Sequence, residues 1–586
     1  MNGSHAQLGE EIAGTFGVAS ATHWMPAQTA MGMLERGGNA FDAAAAAGLV
    51  FHIVDSHMSG IGGEAVILAK KGNEAEPQVI CGQGVAPERA TIEAFRSEGF
   101  NLIPESGVMS AVVPGSFDAW MLMLKQMGTK TLREVLSPAI DYALNGFPVS
   151  HETIKYIKTS AEQLRSNWTG ALPIYLPGND IPSPGDILYN KALGNCLLRI
   201  LLESEAKGGS RENQIDAARD AFYRGFVAEA IGSFLDDYAD IEPENGREHR
   251  ALLTRDDLFR WGATIEAPVA GNFKDWTVFK PGPWTQSPVF LQLVGMLEND
   301  GLSDRDLTSA ESVHLIVEAS KLAFADREAW YGDPNFTEVP IADLLDPTYN
   351  VARRRLIQDH ANGDLRPGTP QGRPAVMPDL SLLERPTHPE NGRERDTCHI
   401  NVIDRWQNVA SVTLSGGWFY NSPTIPELGF SLSTRAQMFW LQEGLASSLR
   451  PGSRPRTTLT PTIAFAPDGT VLSFGCRGAD HSDQWLAQFF LRFAGQDLSL
   501  KQAIDKPVFA SEHWPNSVFP RKALQNRVLL DSSSPQELQD KLRERGHDVK
   551  IAKPNKLGRT CAAIVRGKML RAATTRYLKQ SLAVGR

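Results

Sequence analysis

Thr397 stands where a hydroxyl could become a nucleophile. Upstream, residues 360–396 read HANGDLRPGTPQGRPAVMPDLSLLERPTHPENGRERD, rich in Pro, Gly, Arg and Glu with little apolar periodicity. Such a stretch is expected to be an exposed, mobile loop, and loops of that length inside a compact domain are usually functional or disordered. Downstream the pattern turns at once to strand, first CHINVID over residues 398–404 and then NVASVTLS over 408–415. A cut before Thr397 would free an α-amine beside a hydroxyl, which is a nucleophile carrying its own general base. The plainer reading of the segment, a surface loop entering a strand that begins with Thr, remains open on these residues alone.

Other chemistries find less support in the residue types. Five cysteines (Cys81, Cys196, Cys398, Cys476 and Cys561) are far apart and odd in number, and show no paired spacing with one another or with His. Neither a disulfide framework nor a zinc site is suggested, and the thirteen His show no HExxH pattern. No metal and no cofactor is expected. The net charge of −9 argues against a nucleic-acid or anionic-membrane surface. The first residues, MNGSHAQLGEEIAGTFGVASATHW, lack a basic segment followed by an apolar one, and no apolar run reaches the roughly 20 residues that span a bilayer. A cytoplasmic protein without nucleic-acid or membrane partners is the expectation.

The elements that would position Thr397 alternate between helix and strand. Helices are expected over residues 25–36, 41–54, 130–146, 190–205, 213–238, 309–331 and 484–493, from periodic apolar spacing and Gly stops. The stretch 41–54 is apolar on every side, as in a buried helix. Strands are expected at 17–21, 65–69, within 266–280, and at 397–415, 460–466 and 471–475. Strands gathered around the proposed nucleophile, with helices elsewhere, suit two sheets covered by helices. At 586 residues, 42% hydrophobic and 22% charged, the chain has ordinary globular composition.

Nine blocks, taken in order, resemble one family: MLERGGNAFDAAAAAGLV, SHMSGIGGEAVIL, APERAT, VPGSFDAW, AFYRGFVAEAI, KLAFADREAWYGDP, DTCHINVID, PGSRPRTTLTPTI and FGCRGADHSDQ. The chain is similar to the gamma-glutamyltransferases, which are N-terminal-nucleophile (Ntn) hydrolases. The likeness runs from about Gly17 to about Phe509. It implies an α/β (α+β) class, in an αββα sandwich of two antiparallel-rich sheets between helical layers. It also implies autocatalytic cleavage before Thr397, giving a large subunit of residues 1–396 and a small subunit of 397–586 that stay together as one folded unit.

The resemblance also assigns roles. Thr397 matches the nucleophile, and Cys398 replaces a second Thr; on a strand Cys398 should point to the opposite face and act as a small buried residue. Ser415 takes the place of a Thr that hydrogen-bonds the nucleophile. Gly478 and Ala479 fall on the oxyanion turn, where Ala replaces a Gly and would be strained at positive φ. The substrate pocket departs from the family pattern. Gln83 stands where typical members carry an Arg for the α-carboxylate, and Gly417 where they carry an Asn. Arg435 and Met438 replace a Gln and an Asp that hold the α-ammonium. Thr457 and Thr458 replace a Ser-Ser pair and keep their hydroxyls. The stretch around Arg435 looks like the divergent branch that includes cephalosporin-acylase-like and oxamate-amidohydrolase-like proteins.

The activity implied by the resemblance is an acyl-enzyme on Thr397, released to water or to an amine acceptor from a small-molecule amide. Gamma-glutamyl transfer or glutathione hydrolysis is the family default. An acylase on another carboxylate-bearing amide is the alternative, and an inactive relative the second alternative. Arg435 is expected either to anchor an acid group, repelling an ammonium, or to be a structural Arg.

Overall fold

The computed structural model describes residues 11–241, 246–383, 397–553 and 556–586. Two seven-stranded sheets form its centre. The first runs, edge to edge, through Leu582–Gly585, Gly17–Ala21, Cys398–Asp404, Val409–Ser415, Glu64–Lys70, Gln78–Gly82 and Thr264–Glu266. The second runs through Ile12–Gly14, Met569–Thr574, Thr560–Arg566, Val471–Cys476, Thr462–Phe465, Trp276–Lys280 and Val269–Phe273. Every neighbouring pair in both sheets is antiparallel. The fold is therefore the αββα sandwich.

The two faces of each strand serve different layers. In the first sheet Ile400, Val402, Ala410 and Val412 pack toward helices Trp24–Glu35 and Ala40–Val54. Val66, Leu68, Ile403 and Val409 point the other way and meet Ile463 and Ala563 of the second sheet. The alternation at period two produces both cores from one set of strands. Outside the second sheet lie helices Pro288–Leu297, Ala310–Trp330 and Ser482–Gln496, packed over Phe474 and Leu472.

Helix Ala40–Val54 is buried on all sides, as its composition requires. Asn39 and Asp42 form a capping box at its start, and a methyl at Gly48 would come within 2.2 Å of the Trp120 ring. The single helix expected over 213–238 is instead two, Arg211–Tyr223 and Phe226–Asp237, broken at Gly225. Both the Arg224 and Gly225 amides donate to Asp220, which closes the first helix there.

The stretch 360–396, expected as one loop, is described only over its first part. Residues 360–383 are irregular yet anchored: the Gly368 amide donates to Asp326 at 2.5 Å, and the Asp379 amide donates to the Gln442 side chain at 2.8 Å. The rest of that stretch, including Asp396, lies outside the described residues. Among the described residues no helix is long and apolar enough to cross a membrane.

Candidate active site

Strand register assembles the site. Cys398 pairs with Leu414, so the same antiparallel register carried back one residue sets Thr397 opposite Ser415. Ser415 pairs with Glu64. Ala65 pairs with Gly82, so Glu64 comes opposite Gln83. Thr397, Ser415, Glu64 and Gln83 thus form a row across one end of the first sheet. Residues directly opposed across a ladder share a face. This row shares its face with Val66, Leu68, Cys81 and Val409, which line the space between the sheets. All four are buried, with exposures of 4%, 0%, 1% and 1%.

The second sheet brings the turn to the same end. A methyl on Gly475 would fall 2.1 Å from the His399 ring, so only Gly lets the two strands cross here. Ser473 Oγ donates to Asn401 Oδ1 at 2.6 Å, fixing the crossing one step further in. With 401 over 473 and 399 over 475, the chain past Cys476 leads toward the Thr397 end of the first sheet. That continuation is Gly478–Ala479. Gly478 is required because a methyl there would come within 2.4 Å of Trp485. Ala479 has φ +46°, the left-handed region that disfavours a side chain.

A buried network holds that strained turn. Gln286 Nε2 donates to the Ala479 carbonyl at 3.1 Å, and the Gln286 amide donates to the Thr457 carbonyl at 2.8 Å. Arg327 Nη1 donates to Gln286 Oε1 at 3.1 Å and to Asp480 Oδ1 at 2.9 Å. The other Asp480 oxygen accepts from the Ser517 amide at 2.8 Å. Arg327 also binds Glu328, which Arg456 shares at 2.6 Å. Thr457 is thereby tied to the turn, and Thr458 follows it in a buried position. Thr457 Oγ1 is buried with no hydrogen-bond partner among the described residues.

His399 lies two residues from Thr397 on the same face, yet it is not placed to act as a base. Its Nδ1 and Nε2 face Thr413 Oγ1 and Asn401 Oδ1, each at 3.0 Å. Burial pushes its pKa down to about 3, so it stays neutral. Cys398 points to the helical side, 3.3 Å from Asp55 Oδ2, away from the row.

The pocket residues show how the departures from the family pattern are accommodated. Gln83 Nε2 donates to the Gly84 carbonyl at 3.1 Å, while its Oε1 is buried and lacks a partner among the described residues. Gly416 and Gly417 have φ of +76° and +63°. A methyl at Gly417 would come within 2.8 Å of the Gly63 nitrogen, so this backbone leaves no room for an Asn side chain. Arg435 is not the lone cation the substitution pattern suggested. Its Nε pairs with Glu64, whose other oxygen accepts from Ser433 Oγ at 2.8 Å. Burial raises the Glu64 pKa above its usual range, against the pull of Arg435 and Ser433. Met438 is buried beside this pair, its sulfur 3.9 Å from Arg435 Nη1.

Sequence reasoning overlooked Glu64, Gln286, Arg327 and Asp480. Glu64, Arg327 and Asp480 lie inside the family-like blocks, so the signal was their place in those blocks. Gln286 carried none.

The gamma-glutamyltranspeptidase family model matches residues 26–583. The glutathione hydrolase proenzyme of Bacillus subtilis strain 168 is 28% identical over 501 residues, covering 84% of this chain and 80% of that one. The oxamate amidohydrolase proenzyme of Klebsiella pneumoniae is 28% identical over 548 residues, covering 92% of each. The solved structure of LmbA2991T421A superposes with a TM-score of 0.93 at 43% identity, over 98% of this chain and 99% of that one. The chain belongs to the gamma-glutamyltranspeptidase family of enzymes.

Proposed function

We propose that the chain cuts itself between Asp396 and Thr397 and then works as an amide hydrolase or acyltransferase through an ester on Thr397. The observation that carries this reading is the buried row Thr397–Ser415 at the end of the first sheet toward which the strand before Gly478–Ala479 leads, with Gly475 packed on His399. The freed α-amine, with an ordinary pKa of about 7.7–8, takes the Thr397 hydroxyl proton as the oxygen attacks the amide carbonyl. Ser415 orients that hydroxyl. Backbone N–H groups at Gly478 and Ala479 receive the developing oxyanion, and the proton passes to the departing amine. Water or a second amine then releases the acyl group.

The large and small subunits of such an enzyme would stay together. Strand Cys398–Asp404 is paired on one side with Gly17–Ala21, and Val409–Ser415 on its far side with Glu64–Lys70, so the small subunit's strands sit between those of the large one.

Gamma-glutamyl transfer or glutathione hydrolysis is the default substrate reading, in keeping with the name of the Bacillus relative. A second reading, an acylase on another acid-bearing amide, is favoured by Gln83 and Met438. These are uncharged where typical members carry Arg and Asp.

Thr397→Ala tests the reaction. It should leave a single uncut chain and lower activity at least about a thousandfold. Sequencing of the wild-type small fragment should begin Thr-Cys-His, and acetylation of its amine should abolish turnover with the fold intact. A different new N-terminus in active enzyme would sink the proposal. The mass of the adduct trapped on Thr397 from a mixed amide library names the acyl group and separates the two substrate readings.

A further inference from the structure

The N–H that Gly478 would offer an oxyanion belongs to the peptide joining it to Arg477, so what fixes Arg477 fixes that donor. The network under Arg327 works from the other side of the turn, at the Ala479 carbonyl and the Asp480 carboxylate. Arg477 is fully buried, and its Nη2 donates to Glu152 Oε1 at 2.5 Å. Glu152 lies in the first turn of helix His151–Ser166, upstream of Thr397, and keeps only 27% of its side chain exposed.

Strand register gives this pair a task. Cys476 pairs with Thr560, so the same register carried on by one residue sets Arg477 opposite Arg559. Both are buried, at 0% and 5% exposure, and like charges directly opposed across a ladder repel. Glu152 answers to both guanidiniums. Burial pushes its carboxyl up, but Arg477, His57 and Arg559 outweigh that and hold it down to about 2. The start of its helix also favours a negative charge. Arg477 pulls in the same direction on Asp55, which lies 3.3 Å from the sulfur of Cys398, the residue after the nucleophile. Loss of the Glu152 charge would strengthen the repulsion between two opposed cations, one of them joined by a single peptide to the oxyanion donor.

We propose that Glu152 is a positioning residue for the oxyanion donor: it holds Arg477 against the repulsion of Arg559 and so fixes the peptide whose N–H is presented at Gly478. The proposal rests on the Thr397 acyl-enzyme reading. It gives the turn a second support, carried by a helix that would belong to the large subunit, while the turn itself would belong to the small one.

The test uses p-nitrophenyl acetate, an activated ester with no charged acyl head, on the cut enzyme. The Thr397 oxygen bonds to the acetyl carbon, its proton goes to the α-amine, and p-nitrophenolate leaves with the electron pair of the broken ester bond. The burst of p-nitrophenolate yields two numbers: its amplitude counts competent sites, and its rate constant reports how well the oxyanion is met. Glu152→Gln should lower the acylation rate constant roughly ten- to a hundredfold, somewhat less than outright loss of an oxyanion donor, with amplitude and half-saturating concentration unchanged. Glu152→Asp, which keeps the charge, should recover part of the rate. An unchanged rate constant in folded, cut Glu152→Gln would overturn the proposal, and so would a fall in amplitude alone, which is what a merely structural role predicts. Should Glu152→Gln give no folded, cut protein, Arg477→Lys decides by the same two numbers, because it keeps the charge and loses the planar fork. Mass spectrometry separates the two ideas. Wild type without acetyl on Thr397 counts against the acyl-enzyme reading and this proposal together, while acetyl on Thr397 with equal rates in wild type and variant removes the role of Glu152 alone.

Discussion

Two buried arginines lie close to the proposed chemistry, and the fold treats them in opposite ways. Arg327, under the Gly478–Ala479 turn, spends its donors on Gln286, Asp480, Ser517, Glu328 and the Pro515 carbonyl. Arg435, beside the nucleophile row, has one strong partner, one weak contact to sulfur and one nitrogen with no partner among the described residues. A guanidinium offers five N–H donors in a fixed fork. A saturated fork holds protein to protein, and an unsaturated one keeps capacity for something else. The contrast is between a guanidinium whose donors are all used within the protein and one that is only partly used.

The largest expected effect comes from breaking the scaffold. Arg327→Met leaves Asp480 buried without its main partner and Glu328 with Arg456 alone. Removing one member of a buried pair costs about 3–5 kcal/mol. Denaturant unfolding of the uncut, Thr397→Ala chain, which avoids the complication of two subunits, should show that loss. A change under about 1 kcal/mol, the size of one ordinary hydrogen bond, would mean that the network is not what holds the turn.

Asp55 adds a third case, a buried acid with weak partners. His57 Nδ1, Cys398 Sγ and Gln580 Nε2 lie 3.3–3.4 Å from it. Burial pushes its pKa up from the usual 3.8 to about 7, against the pull of Arg477 and with a further push from Glu152. Between those values the folded chain holds a proton that the unfolded chain has lost. Stability linked to Asp55 is therefore fully present below about pH 4, falls as pH rises, and is gone above about pH 7. The difference is on the order of 4 kcal/mol. Asp55→Asn should flatten this slope in unfolding curves taken from about pH 4 to 8, the window those two pKa values set. A parallel slope in the variant would place the titration elsewhere.

Removing the Glu64–Arg435 pair whole should matter far less to the fold. Glu64→Gln combined with Arg435→Met takes away both charges together, and such exchanges are often neutral within about 1 kcal/mol. The double variant should unfold at nearly the wild-type denaturant concentration. A loss comparable to that of Arg327→Met would erase the distinction between the two arginines.

This difference in legibility has a physical cause. The helices at 41–54 and 309–331 are readable from their length, helix-favouring residues and end signals, both being buried on nearly every side, and the strands around Thr397 because burial imposes a period of two. The break at Gly225 is visible as a residue type, but the apolar period continues across it and hides the interruption. Ser415, Gly478 and Ala479 are readable through family position alone. Glu64 lies in a family-like block too, but as a residue type it is an acid opening an apolar strand, indistinguishable from a solvated edge residue. Only the register against Ser415, and a guanidinium arriving from residue 435, bring it into the buried row beside Thr397. Gln286 is the same case, since its task is to join two segments about 170 and 190 residues away.

The smallest effect is expected at Ala479, where scaffold and chemistry meet in one residue. Its φ of +46° costs a residue with a side chain about 1 kcal/mol, and a Gly there would be free of that strain. Gly also loosens the unfolded chain, which takes back about 0.4–1 kcal/mol. Ala479→Gly should therefore stabilise the protein by less than about 1 kcal/mol. Its backbone N–H remains, held on the carbonyl side by Gln286, but the turn has more room to move. A preorganised donor works by not having to move, so kcat should fall modestly, about threefold or less. The sign of the two changes carries the argument. If stability falls on substitution, the left-handed strain is not present in solution. If kcat falls a hundredfold while stability rises, the methyl itself holds the oxyanion donor in place, and the network under Arg327 is not sufficient to do so.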